Sequence, residues 1–281
     1  MTTLSHAVGS APPRLGPRAL VLRPLATLSR RRFQLTARTP RELLVPLLTP
    51  ILFALVIAPA LREALHAPAA YESFVAIGTV GLLVPLNTMF AGLGVIVDRD
   101  TGAQRELLAA PVHRGLIVVG NLVVALAVTA LQVCVLVAAS LARGIRFAPV
   151  DAGVLWFVGA AALLTIGMYG VAELLAGRVP RQEEYIARLP AIAIVPWFLA
   201  GSLFPITALP TALTWIAKVL PLTHALALMR YGLLGDGSGL RHIWGMGDTT
   251  EMAALSLAVV AAFALAAIVA SMRVFTRSAV R

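Results

Sequence analysis

Charge is what this 281-residue sequence has least of. Asp, Glu, Lys and Arg make up 13% of it, against 59% apolar residues. Soluble domains carry about 25% charged and roughly 45–50% apolar residues, so this composition cannot cover the surface of a soluble body of this size. It excludes disordered and fibrous classes as well, and leaves an integral membrane protein. Cysteine is nearly absent. Cys134 stands alone inside an apolar run, which excludes an internal disulfide and any cysteine-pair metal site, and it reads as a small buried hydrophobe. The five histidines, His6, His66, His113, His224 and His242, read as scattered through loops without metal-ligand spacing. No paired carboxylates lie inside the apolar runs, so acid–base hydrolysis has no support, and no G-x-x-x-x-G-K-[ST] phosphate loop occurs. The chain is therefore expected not to be an enzyme and to bind no cofactor or metal of its own.

What remains is apolar length. A helix needs about 20 mostly apolar residues to cross the hydrocarbon core. Stretches at 44–61, 73–97, 115–142, 152–177, 189–206 and 252–272 meet that need, giving an all-α membrane protein with six spans. Their continuous apolar character argues against a β-barrel. Residues 1–18 read as a disordered cytoplasmic segment, 19–40 as an interfacial helix, and 274–281 as a cytoplasmic tail. Ser29-Arg30-Arg31-Arg32-Phe33-Gln34-Leu35 looks like a twin-arginine export signal, but a basic segment anchoring the first span suits the five later spans better.

The net charge of +10 then has a topological meaning. Eight arginines precede the first span, and three lie in each of the 98–114 loop, the 178–188 loop and the tail. These are seventeen of the 23 basic residues, all on one side. The positive-inside rule puts that side, with both termini, in the cytoplasm, and no soluble basic module is left for nucleic acid. Arginine outnumbers lysine 22 to 1, with Lys218 the one lysine, a bias expected of a GC-rich bacterial genome and hence of a bacterial plasma membrane.

Two connections carry information. In the first cytoplasmic loop, Thr101 or Asp100 can start a helix, Gln104–Ala110 are good helix formers, and Pro111 would stop it. The expected product is a projecting helix over 103–112 with Leu107 and Leu108 between charged neighbours, a surface that invites a protein partner. In the second, Gly201, Pro205, Pro210 and Pro221 break the span near the outer face. Residues 207–246 therefore read as a re-entrant outer segment. Glu173, the lone acid within a span, reads as reaching the cytoplasmic interface towards Arg178.

At these residues the sequence resembles the ABC-2 type transporter permeases, including exporters of the daunorubicin-resistance type. Their first-loop pattern is occupied here by Asp98-Arg99-Asp100, Gly102, Glu106-Leu107-Leu108, Pro111-Val112-His113-Arg114 and Gly120-Asn121. Ala110, His113 and Asn121 stand where the family has Thr, Ser and Lys. The later signature is matched by Gly201, Phe204-Pro205, Leu209-Pro210 and Leu220-Pro221-Leu222-Thr223, and the likeness covers residues 20–275. It implies a type V exporter-like fold with a coupling helix at 103–112 and an outer hairpin after helix 5. It also implies two separate ATPase subunits that carry ATP and Mg, and a second permease copy or related permease meeting spans one and five. By likeness, Arg105, Glu106, Leu107, Leu108, Pro111, His113 and Arg114 would engage the ATPase. Gly201, Phe204, Pro205, Pro210 and Pro221 would form the outer gate. Asn87, Thr88 and Ser202 are candidates to face a cavity in the membrane interior, with an interhelical hydrogen bond the other role open to Asn87. The implied cargo is a hydrophobic or amphipathic drug or lipid. Export of a glycan, or ATP-independent secondary transport, are the alternatives.

Overall fold

The computed structural model describes residues 17–38 and 47–278, and among them the regular structure is entirely helical. The expected disorder of the first sixteen residues, the start of the first span at 44, and the last three residues of the tail lie outside the described residues.

The chain opens with α1 (Pro17–Arg38), followed by α2 (Leu47–Ala64), α3 (Ala70–Asp100) and the short α4 (Ala103–Ala109). Then come α5 (Gly115–Ala142), α6 (Gly153–Ala176) and α7 (182–199). Helices α8 (Thr211–Val219), α9 (Pro221–Leu234), α10 (Ser238–Trp244) and α11 (Thr249–Ser278) complete it. Helices α2, α3, α5, α6 and α11 are long and apolar enough to cross a membrane, and α8 with α9, bent by 79°, makes a sixth candidate if counted as one span.

Helix α6 is the centre of the bundle, packing against α11, α3 and α9. Small residues let it do so, because lipid supplies no hydrophobic drive between helices and close van der Waals packing must replace it. A side chain at Gly170 would run into the α11 backbone at Ala267 and Ile268. The core between these helices holds Leu164, Leu226, Leu228, Met229, Leu240 and Met252, all fully buried.

Three elements depart from the sequence expectation. The fifth apolar stretch is helical from Gln182 and ends at Leu199, with a π-turn at Pro190–Ile194. Its end is set by Gly201, whose φ of +78° lies in the left-handed region that glycine enters at no steric cost. Helix α1 packs along α5, with Leu28 over Gly120, so it is docked on the bundle. Cys134 is exposed on the flank of α5 and not buried, a correction. Asn121, Thr129, Gln132 and Ser140 recur at helical spacing along one stripe of α5, and the last three are buried, while Cys134 stands off that stripe.

Candidate functional site

Helix α3 has 31 residues, about 46 Å at 1.5 Å per residue, while the hydrocarbon core is about 30 Å thick. The helix is therefore longer than the slab it would cross, and α4 follows directly on its C-terminal end. Thr101 closes α3, its N–H and its hydroxyl both donating to the carbonyl of Val97 at 3.0 and 2.8 Å. Gly102 follows at φ +82° with no atom within reach of an added Cβ, so its role there is conformational. It turns the chain sharply enough for α4 to start at the next residue. No residue of α4 is buried: Arg105 and Glu106 are exposed, while Leu107 and Leu108 are half-exposed. The helix stops at Ala109, three residues short of the expected 112. Ala110 is already extended (φ −67°, ψ 145°), because the ring of Pro111 crowds the residue before it out of the helical region. His113 then serves the next element, its Nδ1 accepting the backbone N–H of Gly115 at 3.2 Å at the start of α5. An imidazole nitrogen thus does what a serine oxygen does at a helix N-terminus.

The base of α4 is fixed from two sides. Asp98 receives the guanidinium groups of Arg31 at 3.1 Å and Arg32 at 3.6 Å, both from α1. Arg32 also donates to the carbonyl of Ala91 at 3.2 Å. The neighbouring Arg99 points the other way, donating to the carbonyls of Ala176, Val179 and Pro180 at 3.1, 3.0 and 2.9 Å. Ala176 is the last residue of α6 and Val179 and Pro180 lie in the turn just after it, where carbonyls lack helical partners and the dipole favours a cation. Tyr185 of α7 adds a buried bond from its hydroxyl to the carbonyl of Met89 at 2.8 Å. The result is an unburied lever on a base tied to α1, α6 and α7.

Behind this base lies a buried polar group. Glu173 does not reach out to Arg178. Its side chain is buried in α6 and accepts the hydroxyl of Tyr169, with Asn121 bonded into the same group. The spacing of four residues carries the pair: Tyr169 and Glu173 lie one turn apart on one face.

The far end of α3 holds the second candidate region. The loop after α7 is built around Arg230 of α9. It donates to the carbonyls of Gly201 at 2.8 Å, Ser202 at 3.0 Å and Phe74 at 3.3 Å, and its guanidinium carbon lies 3.4 Å from the centre of the Phe74 ring. Tyr71 donates to the carbonyl of Leu203 at 2.8 Å, and Trp197 to that of Gly78 at 2.8 Å. Arg230 was legible: one arginine in the apolar run of α9 is an ionisable residue at membrane depth. His224, likewise expected in a loop, is buried in α9 and bonds Ser256. Phe204 is half-buried, Pro205 and Pro210 are exposed in the turns, and Pro221 opens α9, where its missing N–H leaves no bond unmade.

The three interior candidates are held in three different ways. Asn87 donates to the carbonyl of Ala125 at 3.2 Å and to the hydroxyl of Thr129 at 2.7 Å, linking α3 to α5. Thr88 is fully buried and bonds back to Val84 and Pro85. Ser202 lies in the far loop, its hydroxyl buried without a hydrogen-bond partner. Asn87 and Ser202 are thus not gathered into one site. Among the described residues no three of His, Cys, Asp and Glu come together as metal ligands would.

Known proteins share this chain's pattern. The Porphyra purpurea protein named "Putative transport permease ycf38" is 25% identical over 217 residues, 75% of this chain and 74% of that protein. Its namesake from Pyropia yezoensis is 27% identical over 200 residues, 69% and 68% of the two chains. Residues 23–234, from the arginine-rich α1 through the first-loop helix to the end of α9, match the ABC-2 type transporter family, and this multi-pass membrane protein belongs to it.

Proposed function

We propose that the chain is the membrane subunit of an ATP-driven exporter, with ATP and Mg handled by two separate ATPase subunits. The observation that carries this is α4, a seven-residue helix with no buried residue, standing on a base bonded to three other helices. A partner that grips Glu106, Leu107 and Leu108 moves that base as one piece. Whichever arrangement of the bundle suits the ATP-bound partner gains population, since a ligand shifts an equilibrium by its differential affinity for the two states. The excess of arginine around α1, α4 and α7 supports a cytoplasmic location for this end and for both termini.

A second permease copy, or a related chain, would pack on α2 and α7. Only 17% of the α2 span is buried inside the chain, against 33–56% in the other four spanning helices. Leu48, Leu52, Leu55, Val56 and Ile57 are its large apolar side chains that stand exposed. The cargo is a hydrophobic or amphipathic compound, a drug or a lipid. Aromatic residues are 6% of the chain, few for a glycan path, which favours apolar cargo over sugar. Expressed with the ATPase from its own genome, the chain should purify as a complex whose mass equals two permeases and two ATPases. Glu106→Lys should release the ATPase while leaving the permease folded. A complex unchanged by Glu106→Lys would sink the assignment of α4.

A further inference from the structure

At the end of the bundle opposite α4, the start of α3, the α5–α6 loop and the loop after α7 border an open cavity of about 720 Å³. Small-molecule sites span about 300–1,000 Å³. Its lining has two chemical characters. Tyr71 and Phe74, stacked with ring centres 6.2 Å apart, form an apolar wall with Ile145, Pro205 and Leu234. Arg62, Arg143 and Arg146 supply three guanidinium groups.

Their charge is only partly answered from within. Glu72, its side chain 7% exposed, binds Arg62 at 2.7 Å and Arg143 at 3.7 Å and so holds both in place. Asp236, the other carboxylate in the lining, accepts the N–H of Ser238 at the start of α10. Arg146 is exposed and makes no ion pair among the described residues. A smaller recess of about 30 Å³ shares Phe74, Pro205 and Asp236 as walls. There the Nε–H of Arg230 and the hydroxyl of Thr223 are buried without a hydrogen-bond partner. Buried polar groups are seldom left so, and both suit an acceptor oxygen.

We infer that this cavity binds an anionic amphiphile, its acidic headgroup between Arg143 and Arg146 and its apolar body along Tyr71, Phe74 and Leu234. The planar fork of arginine matches phosphate and carboxylate oxygens. The apolar wall gives a bare anion nothing to gain. The inference deepens the exporter reading and rests on it only for placing the cavity at the outer mouth. An anionic lipid and a free amphiphilic acid share the required chemistry.

The test uses the purified full chain in phosphatidylcholine nanodiscs, titrated with dodecyl phosphate, dodecyltrimethylammonium or inorganic phosphate, and separately reconstituted with phosphatidylglycerol. Dodecyl phosphate, phosphatidylglycerol or both should bind saturably, and which of them binds identifies the source. The double variant Arg143→Gln, Arg146→Gln should weaken that binding at least tenfold, while Arg241→Gln, exposed outside the cavity, should leave it unchanged. The single variant Arg146→Gln, which disturbs no ion pair, should weaken it severalfold and guards against a folding artefact. Equal binding of the cationic amphiphile, saturation by inorganic phosphate alone, or indifference to Arg146→Gln would each overturn the inference. Because no ATPase is present, these outcomes leave the exporter reading untouched.

Discussion

Two arginines of this chain work by gathering carbonyls, and they differ in what their loss should do. Arg230 is 6% exposed and ties three carbonyls of two elements to the Phe74 ring. Removing it leaves those carbonyls without their charged donor, those of Gly201 and Ser202 at buried positions. A charged hydrogen bond contributes about 1.5–3 kcal/mol, and the three bonds share one side chain, so their contributions do not add independently. Arg230→Met should therefore lower stability in detergent by about 3 kcal/mol, read as a fall in thermal midpoint. Arg230→Lys, a point charge without the fork, should recover only part of it. Arg99 also meets three carbonyls, but its side chain is 35% exposed and water can replace it. Arg99→Ala should cost about 1 kcal/mol yet loosen the base of α4. A thermal midpoint that fell equally for Arg99→Ala and Arg230→Met would show that burial does not separate the two.

At the scale of the element, α4 depends on the turn that launches it more than on its own seven residues, which are too few to be stable alone. Gly102 is the sharpest test, since its φ of +82° has open space around it. Any effect of Gly102→Ala then comes from backbone strain, about 1 kcal/mol for a left-handed residue. Gly102→Ala should leave the bundle folded but weaken ATPase binding severalfold, and Gly102→Asn, better tolerated in that region, should weaken it less. Equal binding by glycine, asparagine and alanine variants would mean that the turn does not set the helix. The existence of α4 was legible from Gln104–Ala110 and Pro111, and so was its exposure, since no apolar stripe of useful length is present. Its anchoring was not. Arg31 and Arg32 read as membrane-side charge, and nothing local to Asp98 says that a residue 67 positions away binds it. The π-turns at Phe53–Ile57 and Pro190–Ile194 were not read from the sequence, although Pro59, Pro190 and Pro196 flank them and remove helical N–H donors there. Glu173 was found as a lone acid, and its partner stood four residues back at Tyr169; the helical spacing that pairs them was there to use.

For the whole molecule, the two ends of α3 hold different chemistry. Asp98 and Phe74 are separated by about 36 Å along the helix axis at 1.5 Å per residue. One end carries the unburied α4 on a base of crossed ion pairs, and the other carries the cavity rimmed by Arg62, Arg143 and Arg146. Between them Asn87 ties α3 to α5 without opening a polar path of its own. A single helix joins the two ends, lacking one backbone hydrogen bond at Pro85, and can carry displacement at α4 to the cavity, provided the ends lie on opposite sides of the membrane. That condition can be measured with cysteine labelling. The native Cys134 is exposed on α5 and must first be replaced, as Cys134→Ala, or it gives a background at mid-span. In that background Gly247→Cys, an exposed position between α10 and α11, should react in intact cells with a maleimide that does not cross membranes. Ala103→Cys, at the start of α4, should react only after the cells are opened. The reverse pattern would invert the topology, place the arginine-rich face outside against the positive-inside rule, and put α4 out of reach of any ATPase. Labelling of both positions in intact cells would mean that α3 does not cross the bilayer at all, and would remove the lever on which the exporter reading depends.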